Sequence, residues 1–546
     1  MSPQTAPPPE ARAHRGLAFS PFDSSGSFHA ASDVGEVQRL AVRGAGFTVA
    51  SSGLGLAIQI VATVVLARLL TPADFGLVAM VTTFSLLLTN FGLNGFTEAI
   101  IQREEMDGVL ASNFFWISLG AGLLLTLGFA AAGPLLVRFY HNAMVEPVTA
   151  GMSITVFITS CSVVHLALLK RAMLFSRLSA NDIFSRIASV SVSIVLAWAG
   201  CGYWALVAGS AAQALTQAIG ACVLCRWIPG PPRGVAGMAA MLRFAANVYA
   251  HFTVNYVGRN TDNLLVGWRF GAQTLGFYKK AYDLFACSGN QLTAPLTNVA
   301  VSALSRFRTN SIRYKQLLLS AMAVTAFVGM GVGADLTLVG RDVIRVLLGP
   351  GWAPAGRVFT FFGPGIGIML LYYTHGWIHL SIGKAERWFR WGILEYAFTA
   401  LLFVGGLPWG PEGIAAAWTA SFWILTVPAL WYAGKPIQLG ISPVVAAVWK
   451  YVIASTLAGI ASAAIMRNLP ILVAASSTRA ALARIVVDSL VFVTLYLSSV
   501  ILLHRGFAPL RLVARLVRQM APGTALSAPS ARAGVGQSVD YLTTAT

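Results

Sequence analysis

Between residues 47 and 503 the chain is a succession of about fourteen apolar runs, each long enough, at about 1.5 Å per helical residue, to cross roughly 30 Å of hydrocarbon. In lipid every backbone donor and acceptor of such a run must be paired within the segment, so the runs are read as helices. The expected fold class is all-α: a polytopic membrane protein with about 14 transmembrane helices, in two pseudo-symmetric six-helix lobes around a central cavity, plus two extra C-terminal helices.

Composition supports this reading. Charged residues make up 11% of the chain and hydrophobic ones 56%, against about 25% charged in a soluble domain. The net charge of +18 does not point to nucleic acid, because the basic residues come in small groups between apolar runs with no continuous basic face. Most of them, including Lys170, Arg171, Arg177, Arg306, Arg308, Arg313, Lys384 and Arg387, fall in alternate connections and in the tails, which places both termini in the cytoplasm. The boundaries expected are a disordered cytoplasmic tail at 1–45, lobes at 46–230 and 231–435, two additional helices at 436–505, and a basic then low-complexity tail at 506–546.

An internal repeat underlies the two lobes. Ala67-Arg68-Leu69-Leu70-Thr71-Pro72-Ala73-Asp74-Phe75-Gly76-Leu77 follows the first run, and Trp268-Arg269-Phe270-Gly271-Ala272-Gln273-Thr274-Leu275-Gly276-Phe277 follows the seventh. Each reads as an arginine at the membrane surface, a short polar turn, then an aromatic or Leu with Gly opening the next helix. Six helices separate the copies, so the unit repeats in one orientation.

The seventh run carries a charged face. At about 100° per residue, Asn247, His251, Asn255, Arg259 and Asp262 share roughly a third of the helix circumference, with Asn263 at its margin and Val254, Val257, Leu264, Leu265 and Val266 opposite. An arginine at that depth costs about 2.5–3.5 kcal/mol on insertion scales, so it is expected to face an internal hydrated cavity. The first lobe has no counterpart of Arg259. Cys222 and Cys225 have CxxC spacing, yet no second pair exists, so no metal or cofactor is expected there. His375 and His379, one turn apart with Tyr372, Tyr373 and Trp377 nearby, read as aromatic packing or sugar stacking rather than a metal site.

The ordered strings ATVVLARLLTPADFGLVAM, FGLNGFTEAIIQRE, NTDNLLVGWRFGAQTLGFYKKAYDL and VLLGPGWAPAG at 346–356 closely resemble the polysaccharide transporter family of the multidrug, oligosaccharidyl-lipid and polysaccharide exporter superfamily. Within it the nearest group is the Wzx-like flippases of lipopolysaccharide and exopolysaccharide biosynthesis. The resemblance, over about 47–435, implies translocation of undecaprenyl-diphosphate-linked oligosaccharide repeat units across the bacterial plasma membrane by alternating access. Its implied partners are the lipid-linked oligosaccharide, the bilayer and other polysaccharide assembly proteins.

That task needs cations for the diphosphate and polar or aromatic walls for the sugars. Arg259 is the candidate diphosphate ligand, its guanidinium matching phosphate oxygens in a bidentate fork, with an ion pair to Asp262 as the structural alternative. Asn255, Asn263, His251, Asn290, Gln291 and Gln59 are candidate glycan or headgroup contacts. Asp262 and Glu98 are candidates for ion coupling, Glu98 continuing a polar line from Asn90 and Asn94, with pairing to Arg103 as its alternative. Arg68 and Arg269 mark the matched surface turns, candidate gates. No catalytic residue is expected. A cation-coupled multidrug exporter of the same superfamily is the second reading, disfavoured by Arg259. A membrane-embedded polymerase or ligase comes third, for want of a long outer loop or a grouped acid and base.

Overall fold

The computed structural model describes residues 19–23, 26–28, 34–103, 106–233, 238–468 and 477–511. Described residues are helical nearly throughout and form no strand beyond isolated bridges. The first six long helices are α1 (Val34–Leu69), α2 (Pro72–Asn90), α3 (Gly108–Ala131), α4 (Val145–Arg171), α5 (Phe175–Trp198) and α6 (Trp204–Leu224). There follow α7 (Met238–Arg306), α8 (Ser311–Leu348), α9 (Ala353–Ser381), α10 (Ala385–Gly406) and α11 (Gly410–Gly434), then α12 (Ile441–Arg467) and α13 (Thr478–Leu503).

Local chemistry sets the boundaries. Thr71 caps α2 in a reciprocal box with Asp74, ahead of Pro72 in the first turn, so two of the orphan amides at the helix start are paired. Asp107 caps α3 and Asn310 caps α8 with one side-chain bond each, accepting from the amides of Leu110 and Arg313. α7 is two helices, because Gly271 takes φ 79° and ψ 179°, a left-handed backbone that a side chain strains. The break folds the chain back, bringing the Tyr278 hydroxyl onto Asp262.

Eleven helical stretches among the described residues are long and apolar enough to cross a membrane, so the expected count of about fourteen is not reached on length and composition. One of the eleven, Ala385–Ile437, contains both α10 and α11. The two halves of α7 carry the polar face that lowers their hydropathy.

The first helices pack mainly on one another, α1 on α5, α3 on α4 and α4 and α5 on α6, as do the later ones, α8 and α7 on α9, and α9 and α10 on α11. The two sets meet where α2 lies along α7. At one end of this seam the two repeat motifs cross. A Cβ on Gly76 would stand 1.7 Å from the Ala272 carbonyl oxygen, and one on Gly276 would stand 1.9 Å from that of Pro72. Farther along, Tyr256 donates to the Thr83 carbonyl and Tyr249 to that of Leu87, both at 2.9 Å.

α12 and α13 pack on α8. Polar groups pin them: Arg484 pairs with Asp342, Ser462 donates to Asp488 at 2.6 Å, Ser489 donates to Asp335 at 3.2 Å, and the Tyr496 hydroxyl donates to the Phe327 carbonyl at 2.7 Å.

The expected disordered tail at 1–45 is corrected where residues are described. Phe19 is buried, its backbone pairs with Leu224 and Arg226, and Phe28 donates its amide to Met106. Phe22 and Phe28 stack edge to face, and Phe22 meets Trp227. Three phenylalanines in a polar segment bury enough apolar area to fix it, and α1 begins at Val34. The remainder of that tail, and 512–546, lie outside the described residues.

Candidate functional site

A cavity of roughly 550 Å³ lies among α7, α9 and α10, within the usual size for ligand pockets. It runs from Arg259 and Glu395 to the α9–α10 turn at Leu380 and Ala385, past Asn255, Tyr372, Tyr373, His375, Trp377, Trp388 and Tyr396. A smaller void adjoins it, reaching Tyr282 and Trp418, and Arg259 and Glu395 line both. All of these residues belong to α7 and later helices. This cavity is built from the second set of helices.

Arg259 is exposed to this interior space. Tyr373 and Tyr396 stand beside its guanidinium, and no ion pair joins it to a carboxylate among the described residues. Tyr396 reaches it because the preceding residue is Gly258, where a Cβ would come within 2.4 Å of the tyrosine ring. Glu395 lies next to Tyr372 on the facing wall. The Tyr372 hydroxyl accepts from Trp391 Nε1 at 2.9 Å, which fixes that ring.

The proposed ion pair between Arg259 and Asp262 is not formed. Three residues of helix turn Asp262 about 60° away from Arg259, where it is fully buried. Its Oδ2 accepts from the Tyr278 hydroxyl at 2.8 Å and from Trp418 Nε1 at 2.9 Å. These neutral donors tie both halves of α7 to α11. Asn263 is also buried, its Nδ2 donating to Asn260 while its Oδ1 has no partner. The charged face read from the sequence thus divides, with Asn255 and Arg259 on the cavity and Asp262 and Asn263 in helix contacts. Val254, expected on the opposite face, lines the cavity beside Asn255.

The other candidates scatter. The side chains of His251, Asn290 and Gln291 lie outside the described ones. Gln59 is exposed on α1 and Glu98 is exposed beyond α2, and neither lines the cavity. Arg68 donates to the Val346 carbonyl at 3.2 Å, and Arg269 is exposed. His375 Nδ1 lies 2.6 Å from the Tyr372 carbonyl and His379 is fully buried. Among the described residues no group of three His, Cys, Asp or Glu could hold a metal.

Sequence reasoning did not single out Glu395, Tyr396, Trp388 or Tyr282. Glu395 carried the clearest signal, an acid inside the apolar run expected at 389–407, where ionisable side chains are rare and functional.

The family model described as "Polysaccharide biosynthesis protein" matches residues 65–357. The chain is 24% identical over 396 residues to the succinoglycan biosynthesis transport protein ExoT of Rhizobium meliloti (strain 1021), covering 72% of this chain and 78% of that one. It is 20% identical over 406 residues to the lipopolysaccharide biosynthesis protein WzxC of Escherichia coli (strain K12), covering 71% and 79%. Among solved structures it resembles the lipid II flippase MurJ in an inward closed conformation, with TM-score 0.68, 13% identity and 84% and 98% of the two chains covered. An inward-facing multidrug resistance transporter of the MATE family gives TM-score 0.58 at 12% identity, covering 70% and 94%. The fold is that of these membrane transporters, and the chain belongs to the polysaccharide biosynthesis protein family.

Proposed function

We propose that the protein is a flippase that moves an undecaprenyl-diphosphate-linked oligosaccharide repeat unit from the cytoplasmic to the periplasmic leaflet of a bacterial plasma membrane, both termini inside. The observation that carries this reading is Arg259, a guanidinium in no ion pair among the described residues, on the wall of a cavity lined by tyrosines, tryptophans, small polar and apolar groups and one carboxylate, Glu395. An unpaired guanidinium at membrane depth is costly and is stabilised when a phosphate fills its fork. Aromatic faces and hydroxyls suit sugar rings. A drug-sized apolar cation would find Arg259 repulsive. Transport rather than catalysis fits the fold and the names of the relatives.

The test is genetic. The gene is deleted and complemented with wild type or Arg259→Ala at matched membrane expression. Surface polysaccharide and lipid-linked repeat units accessible from the periplasmic face are then followed. We expect the deletion to accumulate lipid-linked repeats inside, with rescue by wild type and not by R259A. Normal display in the deletion strain would point to another substrate.

A further inference from the structure

We infer that Glu395 takes up a proton when a diphosphate binds at Arg259, so that substrate capture is linked to protonation of the cavity wall. The inference rests on the reading of Arg259 as the diphosphate site. Glu395 is the one carboxylate among the described residues lining either void, and it lines both of them together with Arg259. An anion seated on Arg259 therefore arrives opposite a carboxylate in a space mostly walled by rings. Two like charges at such a distance disfavour ionisation of the weaker acid, and the phosphates of a diphosphate diester are much the stronger acids.

The groups facing Glu395 leave few other ways to relieve that repulsion. From α7 there are Arg259 and Tyr282, from α9 Tyr372, Tyr373 and His375, from α10 itself Tyr396, and from α11 only the uncharged Trp418. Asp262 is turned to Tyr278 and Trp418. Among the described residues no second cation lines the voids to neutralise Glu395. A divalent cation bridging the carboxylate and the diphosphate is the competing way to relieve the repulsion, since one carboxylate with substrate phosphates and water can hold Mg²⁺, and the magnesium dependence in the test separates the two. The proton comes from the aqueous medium and forms an O–H bond on one Glu395 oxygen. No other bond changes, and the neutral acid can then donate to a phosphate oxygen or to Tyr372.

The test titrates the purified full chain in detergent with farnesyl-diphospho-glucose, a short-chain diester whose phosphates do not titrate near neutrality. Calorimetry is run in buffers of equal pH and different ionisation enthalpy, which counts protons taken up per probe bound. The wild type is expected to show net uptake and an affinity that strengthens as pH falls, by at most about tenfold per pH unit for one proton. Glu395→Gln is expected to bind at least as tightly as wild type, without that uptake and with a flat pH profile, and Arg259→Gln to lose binding. Wild-type binding with no uptake overturns the inference and leaves the diphosphate site standing, as does uptake unchanged in E395Q. Affinity that is flat in pH but rises with magnesium overturns it in favour of a bridging cation. If the probe fails to bind wild type, the diphosphate site and the inference fall together. The wild-type proton count decides even if a variant does not accumulate.

Discussion

Arg259 and Asp262 are three residues apart on one helix and serve different ends. The arginine lines the cavity beside the Tyr373 and Tyr396 phenols and shares that lining with Glu395, while the aspartate is sealed between two neutral donors, one from the other half of α7 and one from α11. Asp262 is thus a structural acceptor in this conformation, and its removal has a predictable signature. Asp262→Ala strands both the Tyr278 hydroxyl and the Trp418 indole N–H away from water, at about 1–3 kcal/mol for each unsatisfied buried group. Trp418→Phe removes one donor and leaves the carboxylate with the other. Unfolding in a fixed detergent should therefore show D262A as the less stable variant, and an equal or reversed order would mean that the node does not hold the helices. At the cavity, Arg259→Lys retains the charge and loses the fork. Diphosphate-probe affinity is expected to fall about ten- to a hundredfold, in line with charge-assisted hydrogen bonds worth about 1.5–3 kcal/mol.

At the level of elements, the two copies of the repeat meet through their glycines. Contacts of 1.7 and 1.9 Å for added Cβ atoms at Gly76 and Gly276 are against carbonyl oxygens, and backbone cannot swing aside as a side-chain tip can. Gly76→Ala or Gly276→Ala should hold that end of the α2–α7 seam apart. In a background lacking the native cysteines, Leu275→Cys, at a fully buried position, should react several-fold faster with a membrane-impermeant maleimide when either alanine is present. An unchanged rate would show that the crossing relaxes by other means. The repeat was legible from sequence because turn residues and glycines keep a fixed spacing within each copy. That the copies touch was not, since period and spacing carry no information on which helix faces which. The same limit explains the site. Helical phase placed Asn255 and Arg259 on one face, but Glu395 and Tyr396 reach the cavity from α10, Tyr282 lines the adjoining void from the other half of α7, and the partners of Asp262 lie 16 and 156 residues away.

For the whole molecule, the alternating access proposed above would require the two sets of helices to part at one end of the α2–α7 seam and then at the other. At the end where the repeat motifs cross, Trp352 would then act as a bolt. Its Nε1 donates to the Ala67 carbonyl at 2.9 Å, and its ring lies edge-on to Phe75 and Phe277, centroids 5.5 and 5.9 Å away. Arg68 adds a bond to the Val346 carbonyl. The cavity wall around Arg259 draws on none of these residues, so seizing the bolt should stop movement without touching binding. The test places Ala67→Cys and Trp352→Cys in a cysteine-free background and joins them with a short, reducible bis-thiol linker. Diphosphate-probe affinity should stay within about twofold of the unlinked protein, additivity of distant sites being the rule, while translocation in proteoliposomes falls to background and returns on reduction. Translocation that persists with the linker in place would mean that this end never opens, and the route of the substrate would then have to lie wholly within α7, α9, α10 and α11. Loss of binding on linking would instead show that the cavity forms only when the bolt is free, and that the two ends are coupled through α7 across its break at Gly271.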